Sequence, residues 1–574
     1  MNRATMQIVY KYRIPALFCA LAVLLCESIA HPVANMGLCD DGPYILIAQT
    51  LANTGRVIYN GWPAAMLGWQ LYLGAAFIKL FGFSFTTVRS STLLVAIVMA
   101  FVLQRTLVRA SITERNATVG TLVIVLSPLS LLLSVSFMSD IFGLFAIVIC
   151  LYCCLRALSA LTTQRTLLWI YFAVISNTIF GTSRQVAWLG VFALVPATLW
   201  LLRSQRRVLL LGTLVNLAGG LCVFVCLRWF ARQPYIQPEH LLPPQYLPAS
   251  TIFINIVHAY LETSFLLLPV ITVFAAGIWR DRRTLSIAAF VSLCYIALSI
   301  QRGFIPMLQP PMGDWVTVFG TVHEVGINGE PTILLRTWVR VLITIASLGG
   351  LLGLAVSFIR ARRHPPIAAH AKLSWRQMDV LLGSLIVAYT VLLIPRAATV
   401  GLSDRYVLEL AVPASFFLLR YYQENFHSRL PRASVLLLVI GALYGILTTR
   451  NTFALYRARV AIADELGANG IPDTSVDNGW EYNFNVELQH APSLNDYRIA
   501  TPANAYVPTP PLPDGLCNLI WHDDTPHINP HYAISFDPNA CYGPAPFAPV
   551  GYSRWPFQTP GTLYVVWFTP PAKP

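Results

Sequence analysis

Six charged residues are candidates for chemistry, because membrane insertion does not account for them. Asp40 and Asp41 stand side by side in Gly37-Leu38-Cys39-Asp40-Asp41-Gly42-Pro43-Tyr44, shortly after the first apolar run, Ile14 to Ala30. Asp140 opens a later apolar run, and Arg184, Arg396 and Arg405 fall between runs where basic residues are otherwise scarce. An ionisable group beside the hydrocarbon is costly and reads as functional by default. Carboxylates and arginines together at a membrane edge suit one reaction type. Arginine clamps a phosphate with paired, charge-assisted hydrogen bonds and stabilises it as it leaves. A carboxylate takes the proton of a hydroxyl or amine as that group attacks the anomeric carbon of a sugar. The donor this predicts is a sugar joined through phosphate to a polyprenyl chain that stays in the lipid. No Gly-rich phosphate loop is present, which fits a donor without a nucleotide. Tyr44 and Tyr406, adjoining these charges, are expected to contact substrate.

Composition sets the frame that must position such groups. The chain has 574 residues, 56% hydrophobic and 11% charged, with a mean hydropathy of +0.60. Soluble chains carry about a quarter charged residues, so this is a polytopic membrane protein. The net charge of +13 does not indicate nucleic acid, because the basic residues form short clusters between apolar runs, without interleaved stacking aromatics. The eleven cysteines show no metal-ligand spacing. Cys150, Cys153, Cys154, Cys222, Cys226 and Cys294 read as small residues within apolar runs. Cys517 and Cys541 lie in a polar region, where an oxidising compartment could pair them.

Thirteen apolar segments are long enough to cross a bilayer, near 14–30, 87–104, 118–135, 141–157, 167–182, 186–202, 208–228, 257–279, 285–301, 337–359, 378–395, 406–421 and 433–449. The first also has a basic leader and a signal-like Ser28-Ile29-Ala30, but the alternation of later spans requires that it be retained. With the N-terminus cytoplasmic, Lys11/Arg13, Arg105/Arg109/Arg115, Arg156/Arg165, Arg203/Arg206/Arg207, Arg280/Arg282/Arg283, Arg360/Arg362/Arg363 and Arg429/Arg432 all fall on the cytoplasmic side, as the positive-inside bias demands. The expected organisation is a transmembrane module over 1–449 in a plasma (inner) membrane, with an external domain over 450–574. The Asp40/Asp41 loop, 31–86, is external and carries two helices, near 45–55 and 66–82, lying in the membrane plane.

Each charge also has a plainer role. Asp140 would cap the first turn of its helix, and Arg184 would serve as an interfacial anchor. Two longer external loops contain Glu239-His240 and His323-Glu324. Either pair could contribute to a divalent-metal site, but one histidine and one carboxylate do not make one. Arg450 to Gly467 reads as an amphipathic helix, and the Pro-, Asn- and aromatic-rich remainder as a small β or α+β domain.

Several of these segments occur in an order that resembles the GT-C glycosyltransferases of the protein O-mannosyltransferase and aminoarabinose-transferase type (family 39-like). They are Cys39-Asp40-Asp41-Gly42-Pro43-Tyr44 with Ala48, Leu51 and Gly55, then Phe81-Gly82-Phe83-Ser84 with Val88-Arg89. Ser139-Asp140 with Tyr152 and Arg156 follows, and last Asp404-Arg405-Tyr406 with Pro413. The resemblance implies an all-α polytopic fold. It implies that Asp40 or Asp41 is the first-loop catalytic acid, Asp140 a second cavity acid, and Arg184 and Arg405 the residues facing the lipid phosphate. Many relatives carry Asp-Glu where this chain has Asp40-Asp41, so the pair leaves open which carboxylate is the base.

The expectation is transfer of a sugar from a polyprenyl-phosphate donor to an acceptor protein, lipid or glycan on the external face. A lipid-linked-sugar flippase or other transporter is the main alternative, but it would favour interrupted spans and charges at mid-membrane. A non-catalytic scaffold is the other. Asp40 and Asp41 would then be replaceable.

Overall fold

The computed structural model describes residues 3–238, 248–277, 282–301, 315–321, 326–361, 373–399, 402–509, 511–512, 517, 519–556 and 559–570. The candidate metal residues Glu239, His240, His323 and Glu324 lie outside them.

Helices in chain order are α1 (Arg3–Ala30), α2 (Asp41–Thr54), α3 (Gly68–Phe81), α4 (Phe85–Arg109), α5 (Glu114–Val125), α6 (Pro128–Ser134), α7 (Ser139–Leu158), α8 (Thr163–Phe180), α9 (Val195–Leu201), α10 (Arg206–Phe230), α11 (Ala249–Leu266), α12 (Leu268–Ile271), α13 (Arg282–Gln301), α14 (Thr337–Ala361), α15 (Trp375–Thr399), α16 (Leu408–Asn425), α17 (Arg432–Ala468) and α18 (Trp480–His490). Among the described residues, eight are long and apolar enough to cross a membrane, or ten if each of two sharply bent pairs counts as one span. This is a multi-pass membrane protein.

All thirteen apolar segments of the sequence carry helix, but several are not plain spans. The segment at 118–135 bends by 67° because Ser127 caps a new helix, accepting from Ser130 N, with Pro128 at its first position. The segment at 257–279 bends by 80° at Leu267, the N-cap of α12, whose second residue is Pro269. The segment at 186–202 begins as a 3-10 turn and a π turn before α9. Buried Asn177 inserts there, donating to Ala146 O (3.2 Å) and Ala187 O (3.0 Å) and accepting from Val191 N (3.0 Å). A side chain inserted into the helical ladder in this way re-routes its hydrogen bonds.

The bundle is organised around α7, which packs on α4 and α8. In its apolar window 78% of the residues are buried, against 22% for α10 and α14, so those two present most of their surface to lipid. The two helices expected in the first loop form as α2 and α3. They pack on each other, and α2 also packs on α18, so most of α2 is buried where the sequence suggested an interfacial position.

No break separates the expected 433–449 span from the expected 450–467 helix. With no proline or capping signal between them, α17 runs on for 37 residues, about 55 Å at 1.5 Å per residue. A hydrocarbon core is only about 30 Å thick, so α17 is longer than one straight span needs, and the C-terminal region follows from its end. Arg457 Nη1 ties it to the first loop by donating to Val33 O at 2.8 Å. In the C-terminal region β1 (Val476–Asp477), β2 (Tyr532–Ser535), β3 (Val550–Tyr552) and β4 (Gly561–Trp567) form a sheet of order β1-β2-β4-β3. The first pair is parallel and the others antiparallel. Cys517 and Cys541 are joined in a disulfide beside this sheet. The sheet region docks on the first loop through Trp62, whose ring lies 4.7 Å from Trp480, and through Leu494 N donating to Asn60 O at 2.9 Å.

Candidate active site

The adjacent acids of the first loop have different surroundings. Asp41 begins α2 and is fully buried. Its carboxylate accepts Arg89 Nε at 2.8 Å and Arg89 Nη2 at 3.0 Å. It also accepts Leu38 N at 2.7 Å and Phe137 N at 3.0 Å. Arg89 completes its own bonding on Met36 O (2.6 Å) and Ala34 O (3.3 Å). Four bonds on one buried carboxylate fasten the first loop to α4 and to the segment before α7. Asp40, one residue earlier at the N-cap of α2, has a 27% exposed side chain with Oδ2 4.0 Å from Arg405 Nη1.

Around Asp40 the predicted residues converge. Asp140 lies in the first turn of α7 and is 1% exposed. Its Oδ1 accepts a hydrogen bond from Arg184 Nη1. Its Oδ2 lies 4.0 Å from Arg405 Nη1 and has no hydrogen-bond partner among the described residues. Arg184 and Arg405 lie against one ring, their Cζ atoms 5.3 and 5.6 Å from the Tyr406 centroid. A tyrosine face within this range of a guanidinium attracts it through the ring quadrupole, so Tyr406 holds the two cations near each other. Tyr44, four residues beyond Asp40, is buried in α2. Arg396 is exposed on the last turn of α15, in contrast to the buried Arg184.

Local chain geometry aims these side chains. Arg184 is the extended residue (φ −145°, ψ 119°) between two 3-10 turns, so it leaves the helical row of α8. The turn is fastened to the first loop by Trp69 N donating to Thr182 Oγ1 at 3.1 Å and Leu67 N to Ser183 O at 3.3 Å. Beneath the Arg184 stem is Gly143, one turn after Asp140 in α7. A Cβ there would meet Arg184 Cδ at 3.0 Å and Cβ at 3.2 Å. On the other side, Asp404 accepts Trp315 N and Val316 N, the latter at 2.7 Å, and so fixes the turn that presents Arg405 and Tyr406.

Two residues of the cluster did not emerge from the sequence reading. Glu409, 2% exposed, lies with Oε1 3.6 Å from Arg184 Nε. Its Oε2 is 3.2 Å from the Tyr389 hydroxyl, which donates to Tyr406 O at 2.7 Å. Glu409 carried a usable signal, as a lone acid near the start of the apolar run 406–421. Tyr389 carried none, being one tyrosine in an apolar helix. Among the described residues no group of three or more His, Cys, Asp or Glu is placed to hold a metal ion.

The arrangement sets two guanidinium groups against three carboxylates at one end of the bundle, with Asp40 the more exposed of the two first-loop acids. Groups of these types can hold a phosphate and receive a proton.

No family model matches the chain, and no curated protein matches it. Solved structures similar to it include ArnT from Cupriavidus metallidurans in two states. The apo state is 15% identical over 84% of each chain, with a TM-score of 0.37. The undecaprenyl phosphate-bound state is 12% identical over 96% of this chain and 98% of that one, with a TM-score of 0.42. A likeness this loose assigns neither chemistry nor substrate.

Proposed function

We propose that this chain is an integral-membrane glycosyltransferase that moves a sugar from a polyprenyl-phosphate donor to an acceptor at the external face. The reading rests on the convergence of Asp40, Asp140, Arg184 and Arg405 about Tyr406. These residues are spread over 366 positions (Asp40 to Arg405), and packing alone would not require them to meet. Buried charge clusters are costly to assemble unless they serve a purpose.

In this mechanism Arg405 and Arg184 bind the donor phosphate. Asp140 and Glu409 position Arg184, and Asp140 keeps one carboxylate oxygen toward Arg405. Asp40 accepts the proton of the acceptor hydroxyl or amine as its oxygen or nitrogen bonds to the anomeric carbon. The bond from that carbon to the phosphate oxygen breaks, and its electron pair stays on the polyprenyl phosphate, held by the arginines. Asp41 serves through Arg89 to hold the loop that carries Asp40. Arg396 is assigned to the lipid-phosphate approach and Tyr44 to support of the acid corner. The Cys517–Cys541 disulfide supports an oxidising, external location for the C-terminal region.

The experiment is incubation of the purified chain with a panel of polyprenyl-phosphate sugars, measuring release of the bare lipid phosphate. The reading requires release that Asp40→Asn and Arg405→Ala each suppress. Release from no donor, or release undiminished from the parent level in either variant, refutes it.

A further inference from the structure

A cavity of about 630 Å³ lies along α2, between that helix, the Phe83–Phe85 segment and α18 with the residues following it. Pockets that hold organic ligands span about 300–1,000 Å³. None of its fifteen lining side chains is an acid or a base, and five are carboxamides: Asn35, Gln49, Asn60, Asn485 and Gln489. A carboxamide offers donors and an acceptor in one plane, which matches neighbouring hydroxyl groups. Phe83, 39% exposed, adds ring surface for the apolar face of a pyranose or furanose. Asn60 is 8% exposed. Its Nδ2 donates to Pro43 O at 2.9 Å, and its Oδ1, itself closed off from solvent, has no hydrogen-bond partner among the described residues.

We propose that this cleft binds a neutral saccharide, the part of an acceptor glycan that lies away from the reacting hydroxyl. Only the word acceptor rests on the transferase reading; saccharide binding does not. The wall excludes phosphate and charged peptides by offering them no counter-charge. It comes from helices and loops, with no strand edge among the described residues to which an extended peptide would add. Gln49 lies nine residues along α2 from Asp40, about 14 Å at 1.5 Å per residue. A ligand touching both is longer than a monosaccharide, so the acceptor is an oligosaccharide or a longer glycan.

The test uses the full chain in lipid nanodiscs and saturation-transfer NMR. The probes are neutral tetrasaccharides of glucose, mannose, arabinose and N-acetylglucosamine, a uronic-acid tetrasaccharide and an uncharged tetrapeptide. At least one neutral saccharide should bind. Gln49→Ala with Asn485→Ala should weaken it about tenfold through the loss of two hydrogen bonds, and Asp40→Asn should not. The exposed Gln489→Ala provides a second variant should the double one unfold. Binding of no neutral saccharide, preference for the peptide, or insensitivity to all cleft variants overturns the inference. Lipid-phosphate release separates the two readings. Asp40-dependent release with an empty cleft removes this inference alone. A saccharide in the cleft with no donor consumed removes the transferase and leaves the binding site standing.

Discussion

Arg89 grips Asp41 with two hydrogen bonds, 2.8 Å from Nε to Oδ2 and 3.0 Å from Nη2 to Oδ1, and neither residue is more than 2% exposed. Asp41 is thereby a fastening, and the proposed mechanism gives the proton-accepting role to the residue before it.

The two acids should therefore separate under mutation. Asp41→Asn leaves the Arg89 charge buried without its partner, which costs about 3–5 kcal/mol, so the variant should unfold at markedly lower temperature and be cleaved sooner by protease. Asp40→Asn should melt like the parent and lose about 10²–10⁴-fold in transfer rate. Melting curves and donor turnover on the same preparations decide it. Matching behaviour of the two variants would defeat the assignment.

Removing the Arg405 guanidinium deletes charge-assisted bonds to the donor phosphate. Arg405→Ala should raise the KM for donor about 10- to 100-fold. Arg405→Lys should recover only part of this, because an ammonium cannot form the forked pair. Donor titrations at saturating acceptor measure it, and an unchanged donor KM would count against phosphate binding at this position.

Gly143 leaves room for the Arg184 stem. In Gly143→Val the added methyls meet Arg184 Cδ and Cβ, which a single Cβ already approaches at 3.0 and 3.2 Å. The stem is a flexible side chain, so it should shift away from Asp140 and Glu409 while the fold survives. Donor use should fall at least about tenfold, since 1.4 kcal/mol of misplacement suffices, with membrane insertion and expression unchanged. Normal donor kinetics in a folded variant would contradict the role given to Arg184.

The C-terminal region should be more stable at mildly acidic pH. Burial pushes the Asp477 carboxyl up to about 6, against smaller opposing effects from its bonds to Asn483 Nδ2 and Gly479 N and from Arg459. A carboxyl whose folded pKa exceeds its unfolded one binds extra protons when folded, so stability declines as pH rises from about 4 to about 6. In Asp477→Asn, Oδ1 can keep both bonds, at 3.1 Å from Gly479 N and 2.8 Å from Asn483 Nδ2. That variant should show a flatter profile and a higher melting temperature at pH 7. Thermal unfolding between pH 4 and 8 reports the difference, and identical slopes would exclude Asp477 as the cause.

Much of this protein is legible one residue at a time. Apolar runs identify the membrane helices because hydrocarbon leaves a backbone few alternatives to helix. Charges such as Asp40, Asp140, Arg184 and Arg405 stand out because their desolvation would not be tolerated without a purpose. The interruptions at Ser127-Pro128 and around Pro269 follow local rules that are also present in the sequence. Partnership is not. Whether Asp40 or Asp41 is bound to Arg89, whether Glu409 reaches Arg184, and whether α2 faces lipid or α18 depend on contacts between residues tens to hundreds of positions apart. The side chain itself is the same whichever way it is paired, so its role is decided by what the folded chain sets against it.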